Sequence, residues 1–355
     1  GIEITAGATG DNQIGGQSVS ERNVISGNGS NGISILGSDG DAQDADPTND
    51  NDGSNRIIGN YIGLTPSGLG TRGNGGNGIA ITQQATGANQ IGGAQPGDRN
   101  FIGGNGQYGI SIEGDASGSS NVVKGNFIGL DDGDQTGGGS FMPHAASNGN
   151  GGILVNAAAA QVIGGSTLGD GNFISANNPD SNSADGIQLT GAGNHVVLGN
   201  AIGGRPLKTS GWPADPSLTT TTFGNNPFAN GGAGVFVDTA SIGNITVGGT
   251  GVNDGNTIVW NRQQGINMAG TGVATVINNL IGAGPTAASG SSFVDLGNNG
   301  DGVLISGAGA NVIGGSGARE ANVISGNGGH GINIPASGNN TVERNKIGLD
   351  DTGQT

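Results

Sequence analysis

The side chains best suited to hold a metal ion lie between residues 38 and 54. Asp39, Asp41, Asp44, Asp46, Asp50 and Asp52 are interleaved with glycine, asparagine and other small residues. Carboxylates on such a segment are hard oxygen ligands of the kind calcium takes. The spacing is not that of an EF-hand loop, which closes on a bidentate Glu, nor that of the glycine-rich calcium nonapeptide. Asp131, Asp132 and Asp134 make a smaller cluster of the same sort. A solvated acidic loop is the alternative reading of both. A second chemistry is offered by aromatic side chains in glycine-rich stretches. These are Trp212, Phe141 and Phe223, together with Phe228 and Phe293. Each can stack on a sugar ring or fold down over its own loop.

Catalytic constellations are scarce. There is no cysteine, hence no disulfide, thiolate metal site or thiol nucleophile. No glycine-rich phosphate loop ends in Lys-Ser/Thr, and no Ser-His-Asp arrangement can be justified from spacing. The adjacent pairs Asp131-Asp132 and Asp350-Asp351 could be hydrolytic carboxylates. They recur at one repeat position, which favours a role in a turn. The remaining candidate bases are Lys124, Lys208, Lys346, Tyr61, Tyr108, His144, His195 and His330. His144 has no acid beside it in sequence, and His195 and Tyr61 fall within or beside strand-like phrases.

The composition narrows what can position these groups. Of 355 residues, 79 are glycine, 32% are apolar and 11% are charged. Ordinary globular domains run nearer to about 45–50% apolar and about 25% charged, so a conventional enzyme core is not the default. Glycine follows no third-residue period, which excludes collagen. The net charge of −16 is too dilute for a charge-driven disordered chain. Eleven basic residues, unclustered, argue against a nucleic-acid partner. No apolar run is long enough to span a bilayer.

The dominant signal is a repeat. Gly-apolar-x-apolar phrases begin at Gly1, Gly78, Gly152, Gly234 and Gly302, so successive units span 68 to 82 residues. Within each unit an Ile-Gly-Gly type turn comes next, as at Ile14-Gly15-Gly16 and Ile163-Gly164-Gly165. It is followed by an Asn-x-Ile phrase at Asn23, Asn100, Asn172, Asn256 and Asn322, closing five residues later on another asparagine. A second Gly-apolar phrase holds Ile33, Ile110, Ile187, Ile266 or Ile332. An Asn-x-Ile-Gly type phrase then centres on Asn60, Asn126, Asn200, Asn279 or Asn345. Each unit thus holds two coils of about three short apolar segments, and five units make ten coils.

The segments alternate with period two, favour Ile and Val, and are bounded by glycine or asparagine, which are strand and turn signals. Strands this short cannot bury a face alone. Stacked coils solve the problem, each strand pairing in parallel with its counterpart about 4.8 Å away. Inward residues such as Ile2, Ile4, Ile14 and Ile25 would form columns along a thin core. Recurrent asparagines would bond rung to rung. The prediction is an all-β parallel β-helix over residues 1–355, with Arg22 and Arg99 at equivalent structural positions.

Three phrases carry a resemblance. Arg22-Asn23-Val24-Ile25-Ser26-Gly27-Asn28, Gly125-Asn126-Phe127-Ile128-Gly129-Leu130-Asp131 and Asn345-Lys346-Ile347-Gly348-Leu349-Asp350-Asp351-Thr352-Gly353 resemble the bacterial parallel β-helix repeat of large surface and secreted proteins. The resemblance covers almost the whole chain. It implies a right-handed solenoid with a pectin-lyase-like cross-section. It says little of function, because lyases, epimerases, phage tailspikes and adhesins share that architecture. Enzymes of the fold use Arg, Lys, Tyr or His as the base beside a uronate carboxylate, and calcium or basic side chains to stabilise the charge. The Met142-Pro143-His144 phrase here departs from the Asp-Pro-His-Glu phrase of alginate epimerases.

No polar cap is visible at either end, so the expectation is a segment of a longer array, with head-to-tail self-association as the alternative. Four insertions, near 65–77, 131–151, 204–233 and 283–301, should leave one corner of the solenoid. The resulting expectation is a non-enzymatic stalk, adhesin or filament component, extracellular or on the cell surface, whose loops meet a polysaccharide or cell-surface glycan. A polysaccharide lyase or epimerase at the loop face is the alternative, as is carbohydrate binding without turnover.

Overall fold

The computed structural model describes residues 1–5, 11–36, 54–82, 88–114, 120–133, 143–204, 226–241, 243–283, 296–335 and 338–349. These residues form three parallel sheets of ten strands each. The chain visits sheet A, which begins with Ile2–Ile4, sheet B, which begins with Gln13–Ile14, and sheet C, which begins with Val24–Ile25, in turn, so ten coils stack into a parallel β-helix. Two short 3-10 turns, Val19–Glu21 and Pro96–Asp98, are the helical elements among the described residues. None of the described helices is long and apolar enough to cross a membrane.

Every strand pairs in register with its neighbour one coil on. In sheet B one column runs Ile14, Ile57, Ile91, Val123, Ile163, Val197, Val247, Val276, Ile313. A coil buries only a few such side chains, but like residues stacked at strand spacing make one continuous core along the axis. β-Branched residues suit this packing because their restricted χ1 matches the pleated surface. The expected inward residues Ile4, Ile14 and Ile25 lie in that core, with Ile2 packed against it.

The corners are held by side-chain ladders. Between sheets B and C the rungs are Asn23, Asn60, Asn100, Asn126, Asn172, Asn200, Asn256, Asn279, Asn322 and Asn345. Each Nδ2 donates to the next rung's Oδ1 at 2.8–3.0 Å. The asparagines of the two alternating phrases thus interleave in one ladder. A second ladder between sheets C and A runs from Asn28 through Asn74, Asn105, Asn148, Asn177, Asn230, Asn261 and Asn298 to Asn327. These amides are almost all buried, and they satisfy backbone groups that the corner would otherwise leave unpaired.

Glycine makes the tight corners possible. Gly164 has φ +92°, and a Cβ there would lie 1.8 Å from the Leu198 carbonyl oxygen of the next coil. Only a residue without Cβ holds that conformation at that distance.

Candidate functional site: a groove on sheet A

Most residues with apparent chemical potential are engaged in the scaffold. Asp131 is buried and accepts from the backbone N–H groups of Gly133, His144 and Gly70 at 2.9, 2.7 and 3.2 Å. Its Oδ2 also meets His144 Nδ1 at 3.1 Å, so the acid missing beside His144 in sequence is supplied by the fold. Asp132 accepts from Tyr61 Oη, and Arg22 bonds the same hydroxyl and pairs with Asp132 at 3.5 Å. Burial and the Asp132 hydrogen bond push the Tyr61 phenol above its ordinary range. Lys124 pairs with Asp170 at 3.3 Å, and His330 Nδ1 meets Asp301 at 3.0 Å.

His195 is a ladder rung. At the corner between sheets A and B, Asn12, Asn55, Asn89 and Asn121 lead to Gln161. The Gln161 N–H then donates to His195 Nδ1 at 3.2 Å. The opposite ring nitrogen meets the Thr190 carbonyl at 3.3 Å, the pattern of a neutral imidazole protonated on Nε2.

The loop aromatics divide. The four insertions do leave one corner, between sheet C and sheet A, since their flanking strands end in Ile62, Ile128, Ile202 and Ile281 and resume in sheet A. Phe228 folds onto the outside of sheet C with Tyr61, Phe101, Phe127 and Phe173, so for it the packing alternative holds. Trp212, Phe141, Phe223, Phe293, Lys208 and the whole acidic set Asp39, Asp41, Asp44, Asp46, Asp50 and Asp52 lie outside the described residues.

One cavity of about 400 Å³ gathers polar and aromatic groups, and it lies where that corner meets the outer face of sheet A. Three of the longest strands, Tyr108–Glu113, Gly151–Asn156 and Asp185–Thr190, lie side by side there. Their register aligns Tyr108, Gly151 and Asp185, and places Gln188 beside Phe236 and then Asn267. The floor crosses five successive strands, roughly 19 Å at the usual strand spacing. Tyr108 Oη donates to Gln188 Oε1 at 3.1 Å, and Gln188 Nε2 donates to Asp238 Oδ2 at 3.1 Å. Gln188 is therefore fixed from both ends.

Asp185 is the unusual member. It is only 9% exposed, and its Oδ1 accepts from the Ala233 N–H at 2.6 Å. Gly232 permits this approach, because a Cβ there would lie 2.2 Å from that oxygen. Burial raises the Asp185 carboxyl to about 7, against the pull of the Ala233 hydrogen bond and with a further push from Asp238. Tyr108 is raised by burial first and then by Asp185, Glu113 and Asp238. Among the described residues, no cationic side chain lines the groove, and no three His, Cys, Asp or Glu side chains cluster as a metal site.

Comparison with known proteins adds no assignment: no family model, curated protein or solved structure matches this chain significantly. Sequence reasoning picked out Tyr108 but missed Asp185 and Phe236. Asp185 shares its repeat position with polar residues such as Asn31, Asn77 and Asp301, so its type does not mark it, and Phe236 is marked only as an aromatic at a position where other coils carry Glu3, Ser34, Ala80 or Leu304.

Proposed function

We propose that this β-helix is a rigid, non-enzymatic segment of an extracellular or cell-surface protein, serving as a stalk, adhesin or filament component. The observation that carries the reading is the use of the recurrent polar side chains. The asparagines bond coil to coil over the length of the solenoid. Conspicuous acids and bases such as Asp131, Asp132, Arg22 and Lys124 bond one another or the backbone. Uronate elimination or epimerisation needs a base and a neighbouring cation. The groove offers Tyr108, whose raised pKa keeps its proton on, and acidic neighbours.

Antibody raised against the purified chain should label intact cells of the source organism. Labelling only after permeabilisation would overturn the surface assignment. Calcium at Asp39, Asp41, Asp44, Asp46, Asp50 and Asp52 belongs to the same proposal. Its test is a melt with calcium against one with chelator. A calcium-dependent rise in Tm is expected from preferential binding to the native state, and superimposable curves would remove calcium from the account.

A further inference from the structure

Asp185 Oδ1 makes the coil-to-coil bond that Asn31, Asn77 and Asp301 make at the same repeat position, accepting from the backbone N–H one coil on, but the side chains gathered beside it in the sheet A groove go beyond what that bond needs. Along the aligned outward positions Ala80, Ser111 and Leu154 come first and Leu304 and Asn333 follow, and between them Gln188, Phe236 and Asn267 stand side by side. Their side chains line a depression open to solvent. The second oxygen of Asp185, Oδ2, takes no hydrogen bond among the described residues, although the side chain is nine-tenths buried and lines the groove. The charged group acting on it is Asp238, also acidic, and Tyr108 is aligned with it across the sheet. A largely buried carboxylate beside a second acid, with one oxygen open to the groove, is eased by a proton or by an incoming cation.

The rest of the groove narrows the kind of cation. Phe236 offers a ring face, which accepts both the apolar side of a pyranose and a cationic group. Gln188, held by Tyr108 and Asp238, and Asn267 offer amides able to bond hydroxyls in either direction. The roughly 19 Å floor has room for several linked rings. A bare metal ion would make no use of the ring or the amides. A polyuronate would set its carboxylates against Asp185 and the nearby Asp238.

We propose that the groove on sheet A binds an amino sugar chain, a glycan bearing unacetylated primary amines, with one ammonium seated on Asp185 and a sugar ring on Phe236. This goes beyond the scaffold reading, which rests on the ladders and stands whether or not the groove is occupied.

The test is titration calorimetry of the whole chain at neutral pH with four probes: a glucosamine tetramer, its fully N-acetylated counterpart, tetragalacturonate and spermine. The glucosamine tetramer should bind at least about tenfold more tightly than the acetylated one, the scale of one charge-assisted hydrogen bond. Tetragalacturonate should give no heat. Asp185→Asn keeps the acceptor for the Ala233 N–H and should fold. It should lose about tenfold or more for the glucosamine tetramer and nothing for the acetylated one. Phe236→Ala should weaken both. Equal affinity for the two tetramers, no heat with the glucosamine tetramer, or an Asp185→Asn variant that binds like the parent would each overturn the proposal. Spermine binding as tightly as the glucosamine tetramer would also overturn it, since charge alone would then explain the site.

Discussion

At the residue scale, an internal asparagine rung supplies more than one hydrogen bond. The Asn100 amide donates to Asn126 Oδ1 at 2.9 Å and to the Ile57 carbonyl at 2.8 Å. Its own Oδ1 accepts from the backbone and side chain of Asn60 at 3.0 Å. Asn100→Ala should therefore destabilise by about 1–3 kcal/mol, the range for leaving buried polar groups unpaired. Unchanged unfolding in urea would count against the ladder. Asp185 acts in the opposite sense. Its folded pKa of about 7 lies above the ordinary 3.8, so between these values the native state holds a proton that the unfolded chain has released. The stabilisation from that proton is complete below the lower value and is lost as pH rises through the upper one. Asp185→Asn should remove this loss and gain on the parent protein across that window, by on the order of a few kcal/mol. Parallel stability–pH curves for the two proteins would refute the assignment. These residues were unequally legible. Asn100 recurs in phase with its counterparts, so its structural role can be read from periodicity. Gln161 and His195 serve as rungs without being asparagine, and nothing in the composition marks them. Asp185 shares its bonding position with Asn31, Asn77 and Asp301, but the charge of Asp238 that acts on it is brought near only by the fold.

At the scale of the element, in-register stacking does two jobs. Inward it builds the aliphatic columns. Outward on sheet C it aligns Tyr61, Phe101, Phe127 and Phe173, with Phe127 stacked on Phe101 and Phe173 at centroid distances of 4.7 and 4.9 Å. Those distances are the strand spacing itself. Segments returning from the corner cover the stack with Leu64, Leu130, Ala146, Ala176 and Phe228. Phe127→Ala should destabilise by about 3–5 kcal/mol, as for a buried core aromatic. A cost below about 1 kcal/mol would mean that the outer stack is ornamental. The strands of sheets A and C were visible in sequence because glycine or asparagine punctuates them. The sheet B strands of alternate coils, such as Arg56–Ile57 and Ala274–Ile277, lack the Ile-Gly-Gly turn and were not separately readable. The second aromatic layer was not readable either, because Phe228 is far in sequence from the rings it covers.

At the scale of the whole molecule, each coil touches chiefly its neighbours, so rigidity is the sum of repeated interfaces rather than the property of one centre. This explains how a chain with 32% apolar residues holds a continuous apolar core. It also explains why fold is far more legible than function: periodicity reports the scaffold, whereas the sheet A groove depends on which side chains happen to stand together on a few adjacent coils. The proposed function is that this β-helix supports and contacts but does not transform. Proton NMR of acidic polysaccharides incubated with the protein in heavy water, with and without calcium, tests it most directly. No new alkene signals and no solvent deuterium at the sugar C5 are expected. Alkene protons would reveal a lyase and C5 deuterium an epimerase, and either result would contradict it.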